Sequence, residues 1–164
     1  MKKFLLCTIA ALVFSSTAAA DNSLHAGAKA INVSITDEEL PTGFLLKGKY
    51  FTSNDMAIIA GAGISINGSD ADGTDISLLG GVRSYMGRGD FATFYGGMIT
   101  YTDFDATNTS QLAFLGEFGG EYFVGRQFSM EGSLRAGYAT TDVGALTVSS
   151  LGTFGGQVSL NYYF

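Results

Sequence analysis

Apolar residues recur at every second position through most of this chain, with small or polar residues between them. Met56, Ile58, Ala60, Ala62, Ile64 and Ile66 share one face of an extended segment, and Leu112, Phe114, Gly116, Phe118, Gly120 and Tyr122 share one face of another. A period of two is the mark of a β-strand, whose side chains alternate between its faces. The end of the chain repeats the pattern. Phe164, Tyr162, Leu160, Val158, Gly156, Phe154 and Gly152 fall on one side, and Tyr163, Asn161, Ser159, Gln157, Gly155 and Thr153 on the other. A soluble strand of this kind buries its apolar face under a covering element, and none follows here. A strand facing lipid needs no cover, because the bilayer is itself the apolar phase.

The same alternation predicts eight strands, at about 24–36, 43–51, 56–66, 76–86, 91–102, 110–123, 128–140 and 151–164. Each is long enough for the roughly 9–11 tilted residues that cross a bilayer as a strand. Short connections at Thr52–Asp55, Gly87–Asp90 and Val124–Gln127 carry tight-turn residues, and they alternate with longer ones at roughly 37–42, 67–75, 103–109 and 141–150. The expected fold is all-β, an eight-stranded antiparallel up-and-down transmembrane β-barrel with both termini on the short-turn side. Tyr50, Phe91, Tyr122, Phe128, Tyr162 and Phe164 collect near the turns, with Phe44, Tyr101 and Tyr138 toward the loops, as two interfacial girdles require. Lys29 breaks the pattern, since it shares parity with Ile31, Val33 and Ile35. A bulge near Ala28–Ala30 or a later strand start is expected there.

Ahead of the first strand lies a leader. Met1-Lys-Lys is a basic start, Phe4 to Phe14 an apolar run, and Ala18-Ala-Ala20 a small-residue cleavage site before Asp21. The segment 1–20 is expected to be a cleaved secretory signal peptide, with Ala18 and Ala20 marking the cut. Residues 21–164 are expected to form a single domain, with no appended peptidoglycan-binding module. The only cysteine, Cys7, is in the leader, so the exported chain can form no internal disulfide. Glycine is abundant (23 residues) and proline is confined to Pro41, and no long segment has helical period.

Charge is sorted by place. Nine of the 15 acidic residues, Asp37, Glu38, Glu39, Asp70, Asp72, Asp75, Asp103, Asp105 and Asp142, fall in the longer predicted loops, which contain no lysine or arginine. Such a rim disfavours nucleic acid and other polyanions, which need basic contacts. The loop Asn67–Asp75 has calcium-loop character but lacks the opening Asp and closing Glu of that motif. The strand charges Lys47, Lys49, Arg83, Glu117, Glu121, Glu131 and Arg135 all share parity with the polar face and are expected to form one network inside the barrel. If the turn centres on Arg126, residues whose numbers sum to 252 oppose each other, setting Glu117 against Arg135 and Glu121 against Glu131. The like-charged pair would need cations from across the lumen, where Lys47, Lys49 and Arg83 are available. An eight-stranded barrel is narrow enough for such side chains to fill.

Little else carries chemistry. Arg88-Gly-Asp90 matches an integrin-recognition tripeptide, but the topology places it in a short turn where glycine and aspartate are ordinary. His25 is the only histidine, so a histidine-dependent hydrolase would have to use it. No His or Cys has metal-ligand spacing. No catalytic set, metal site or cofactor is expected.

With these residues in place, the mature chain resembles the small eight-stranded outer-membrane barrels, the OmpX and OmpA-transmembrane-domain class. The resemblance is carried by the leader ending Ala18-Ala-Ala20, the hairpin rhythm, the inward charges and the terminal Val158-Ser-Leu-Asn-Tyr-Tyr-Phe164. Within that last segment Leu160, Tyr162 and Phe164 resemble the assembly signal of bacterial outer-membrane barrels. The resemblance implies export to the cell outer membrane, contact with its lipid and lipopolysaccharide, recognition by the outer-membrane assembly machinery, and a monomer. The class includes structural, adhesion, defence and stress-related members and a few enzymes, so it names no task. The short acidic loops depart from members whose long loops make a protruding adhesive sheet. The expected function is non-enzymatic, a plugged polar lumen with an envelope-integrity or surface-interaction role. The alternatives are a narrow channel for ions or small solutes, with Gly61, Gly63 and Gly81 on its wall, and a lipid A-modifying enzyme, which the solitary His25 opposes.

Overall fold

A computed structural model of the chain describes residues 24–36, 44–67, 73–87, 89–107 and 109–164. Its strands are β1 (Lys29–Thr36), β2 (Phe44–Phe51), β3 (Met56–Asn67), β4 (Gly73–Met86), β5 (Phe91–Phe104), β6 (Thr109–Phe123), β7 (Phe128–Val143) and β8 (Leu146–Tyr163). Each pairs antiparallel with the next, and β8 returns to β1, so the sheet closes into an eight-stranded barrel. Closure removes both sheet edges along the paired length and satisfies the backbone without a covering layer. The leader, with Ala18 and Ala20, lies outside the described residues, as do the acids Asp37, Glu38, Glu39, Asp70 and Asp72 and the turn residue Arg88.

The faces are inverted relative to a soluble domain. Ile58, Leu78, Val82, Ile99, Phe114, Phe118 and Leu134 point outward and are exposed, while Lys47, Lys49, Arg83, Glu117, Glu121, Glu131 and Arg135 are buried inside. Exposed Tyr50, Phe91, Tyr122, Phe128, Tyr162 and Phe164 ring the turn end, and Tyr101 and Tyr138 stand toward the loop end. A continuous apolar exterior of this extent is not carried by monomeric soluble domains.

Four expectations are corrected in detail. First, β1 begins at Lys29 and pairs with β2 without interruption from Lys29↔Tyr50, so the later start applies and there is no bulge at Ala28–Ala30. Lys29 sits at the strand end, where its long stem lets the ammonium reach water. The preceding residues turn under the barrel instead. Gly27 N donates to Phe51 O (2.8 Å) and Ala26 N to Asn54 Oδ1 (3.0 Å), and Leu24 and Ala28 bury themselves against the rings above.

Second, the connection expected at 141–150 is the tip of a hairpin. β7 runs to Val143, β8 starts at Leu146, and Gly144 holds the left-handed φ of 61° that a tight turn needs at its first position. The flanking Thr141, Val143, Thr147 and Val148 are β-branched and favour extension, and Thr147 Oγ1 donates to Asp142 Oδ1 across the pair at 2.7 Å.

Third, the alternation of β8 breaks at Gly155. There φ is 88°, and the register with β7 moves from Leu134↔Gly156 to Ala136↔Thr153. The extra residue reverses parity beyond it, so Leu151 faces outward and Gly152 opposes inward-facing Gly137. The assignment of Gly152 to the lipid face is thereby overturned. A Gly155→Val substitution puts a β-branched residue into that conformation and is expected to destabilise the barrel by about 1–3 kcal/mol. Urea unfolding of refolded protein reads this directly, and an unchanged midpoint would show that the bulge carries no strain.

Fourth, Asp75 belongs to β4 rather than to a loop. It is buried on the inward face, opposite Ser65. Asp103 and Asp142 likewise lie in β5 and β7 rather than in loops, but they and Asp105 are exposed at the loop end.

Candidate functional site: a layered, charged interior

Inward residues are stacked in layers along the barrel axis. At the turn end Phe51, Tyr85, Phe94, Phe123 and Tyr163 pack with Leu24, Ala28, Ala30, Ala57 and Ala92 as an apolar floor. The rings meet tilted, for example Phe51 with Tyr85 at 5.2 Å and Phe123 with Tyr163 at 5.6 Å between centroids. Phe94 needs room to lie flat. A Cβ on Gly119 would stand 2.5 Å from its ring, so the small residue on β6 makes the space.

Above the floor lies the charged layer. β6 and β7 hold the register of the 252 rule, with Glu117 opposite Arg135 and Glu121 opposite Glu131. Lys49, from β2 on the far wall, reaches between the two facing acids. Its Nζ lies 3.0 Å from Glu121 Oε2 and 2.5 Å from Glu131 Oε2, and it also donates to Tyr85 Oη at 3.2 Å. Arg83, from β4, spans the other pair of acids. Its Nη2 donates to Glu117 Oε2 (2.7 Å) and its Nη1 to Glu131 Oε2 (2.9 Å), while the guanidinium rests 3.9 Å above the Phe94 ring. That stacking ties the charged layer to the floor and suits a weakly hydrated, planar cation. Arg135 Nε stands 3.5 Å from Glu117 Oε1.

Lys47 departs from the network expected of it. Its Nζ donates to Gln157 Oε1 at 2.7 Å, and no carboxylate among the described residues comes within ion-pair distance. The seven charges are therefore all buried, and six of them are joined by direct ion pairs.

Several partners were missed from the sequence. Asn161 donates to Glu121 Oε1 (2.9 Å) and Glu131 Oε2 (3.3 Å), Tyr163 Oη donates to Glu121 Oε1 (2.6 Å), and Ser129 Oγ donates to the same oxygen. Asn32 on β1 reaches Asn161 Oδ1 at 2.6 Å. Parity marked each as inward, but only the closed geometry puts β6, β7 and β8 around one carboxylate, with β1 behind Asn161. Hydrogen bonds and ion pairs of this kind to each of the three acids are what make a buried polar cluster tolerable.

A second apolar layer of Ile59, Leu79, Met98, Ala113, Leu115 and Ala139 lies on the loop side of the charges. Reading inward positions up β4 shows the sequence of layers: Tyr85, Arg83, Gly81, Leu79, Ser77 and Asp75. Beyond it Ser77 meets Thr102 at 3.0 Å and Gln111 Nε2 donates to Thr141 Oγ1 at 3.1 Å. The residues Leu160, Tyr162 and Phe164 lie on the outer face of β8, with Tyr162 and Phe164 exposed and Phe128 5.0 Å from the Tyr162 ring. His25 is exposed in the turn under the barrel. Among the described residues no cluster of His, Cys, Asp and Glu could hold a metal ion.

No family model matches the sequence, and no curated protein matches it. Among solved structures the chain is similar to the N-terminal β-barrel domain of Pseudomonas aeruginosa OprF, with a TM-score of 0.58 and 12% identity over 85% of this chain and 98% of that one. At that identity the likeness speaks for the fold. The chain is a closed eight-stranded antiparallel barrel, and its fold is like that of the OprF N-terminal barrel.

Proposed function

We propose that this chain is an integral protein of the bacterial outer membrane with a closed interior and no enzymatic activity, serving envelope integrity or surface interaction. The observation that carries the closed interior is the pair of apolar layers on either side of the charges. A dehydrated ion crossing them would leave polar partners twice. The glycines that make an open wall conceivable are themselves covered. A Cβ on Gly61 would meet Lys47 Cγ at 2.8 Å, and one on Gly81 would meet Met98 Cβ at 2.8 Å.

Placement in the outer membrane is supported by the apolar exterior, its aromatic girdles and the terminal aromatic strand. The partners that follow are membrane lipid, lipopolysaccharide and the outer-membrane assembly machinery, for a chain acting as a monomer. The exposed acids Asp103, Asp105 and Asp142 make the loop end unfavourable for nucleic acid. His25 lies at the opposite end from the outer leaflet in this orientation, which weighs against lipid A chemistry.

The test is single-channel recording of purified protein in planar bilayers, together with detergent and bile sensitivity, surface charge and attachment of cells lacking it. No conductance steps and a change in at least one cell property are expected. Discrete steps would replace this reading with the narrow channel, and a null on every cell property would remove the proposed role.

A further inference from the structure

Four cations and three carboxylates share the charged layer, and the surplus positive charge is localised. Lys47 and Arg135 both direct their heads at one neutral oxygen, Gln157 Oε1. Arg135 shares only Glu117, and at 3.5 Å that contact is longer than a hydrogen bond. Glu117 Oε2, Glu131 Oε2 and both oxygens of Glu121 are otherwise engaged by Arg83, Lys49, Asn161, Ser129 and Tyr163. The other buried acid, Asp75, is separated from this layer along β4 by Ser77 and Leu79.

Ser133, opposite Gln157 on β7, and Ser159, two residues along β8, are buried, and their hydroxyls make no hydrogen bond among the described residues. Gln157 turns its amide nitrogen away, toward Ser34 Oγ. The local inventory is thus two buried cations, two buried hydroxyls, one neutral acceptor and Glu117 Oε1, a carboxylate oxygen that makes no hydrogen bond among the described residues. Buried charge without a counter-charge is strongly unfavourable, and a cluster with a net positive charge is complementary to an anion.

We propose that the interior binds one small inorganic monoanion, of the size and charge of chloride, at the Lys47–Arg135 pair beside Gln157. The narrow bore excludes larger anions, and the apolar layers make the ion a trapped structural component rather than a permeating one. This rests on the closed interior proposed above. Planar-bilayer recording tests that closure, and the salt series below tests the ion.

The full barrel is refolded in sodium chloride or in sodium gluconate at matched ionic strength, and its thermal unfolding midpoint is measured across a concentration series. A saturable rise specific to chloride is expected. Lys47→Met removes the unpaired cation and is expected to abolish the chloride response while keeping the fold. Gln157→Glu supplies a carboxylate in place of the ion, and is expected to raise the midpoint in gluconate to the chloride level. A crystal grown in bromide should then show an anomalous peak between Lys47 and Arg135. Equal midpoints in both salts, a chloride response that survives in Lys47→Met, or no bromide peak there would each overturn the proposal. If Lys47→Met does not fold, Gln157→Glu and the bromide crystal decide the matter alone.

Discussion

Glu131→Ala is expected to destabilise the folded barrel by about 3–5 kcal/mol, the cost of breaking a buried ion pair from one side. Glu131 Oε2 accepts from Lys49 Nζ (2.5 Å), Arg83 Nη1 (2.9 Å) and Asn161 Nδ2 (3.3 Å), so one truncation strips a charge from two cations at once. Glu121 and Glu117 still pair with those cations, but neither can move to the vacated position, because each is held by its own strand and donors. Reversible urea unfolding of protein refolded into lipid vesicles gives the number. A loss below about 1 kcal/mol, the range of an exposed surface pair, would mean that water reaches the layer and that the interior is not dry. The facing acid makes the result more telling. Removing Glu131 also relieves its juxtaposition with Glu121, so a large net cost shows that Lys49 and Arg83 dominate the balance.

Leu134→Arg should cost about 2–4 kcal/mol in a bilayer, the penalty for a cation facing lipid near the midplane of a barrel. Leu134 is 68% exposed on the outer face, midway along β7, and touches no charged layer. The sign of this effect separates two environments. In water an arginine at so exposed a site would be neutral within about 0.5 kcal/mol. Unfolding from lipid vesicles measures it, with the same variant in short-chain detergent as comparison, where the loss should shrink. Equal stability of variant and parent in vesicles would mean that this face does not meet hydrocarbon, and the membrane reading would fail with it.

Local features of this fold are legible in the sequence and long-range ones are not, and particular residues show why. The inward parity of Lys47, Lys49 and Arg83 could be read from neighbours two positions away, yet that reading gave no means of telling which of them reaches an acid. Lys49 reaches two acids and Lys47 none, although they are adjacent on the same face of β2. The aromatic floor was equally hidden. Phe51, Tyr85, Phe123 and Tyr163 each end a strand with inward parity, but the outward aromatics beside them drew the girdle assignment. Gly155 was read as one more small residue in an alternating strand, because a positive φ leaves no mark in sequence beyond the glycine itself.

The sequence by itself determined the strand class, the eight hairpin-linked segments, the face to which most side chains turn, and the opposition of Glu117 to Arg135. All of these follow from the two-residue period and from turn length, which act over a few neighbouring positions. Only the tertiary structure decided the bulge at Gly155, the hairpin tip at Gly144, the turn of Leu24–Ala28 under the floor, and the partners of each interior charge. The charge partners depend on how closure and stagger bring β2 and β4 across the lumen to β6 and β7. That relation joins residues dozens of positions apart, and no local pattern encodes it.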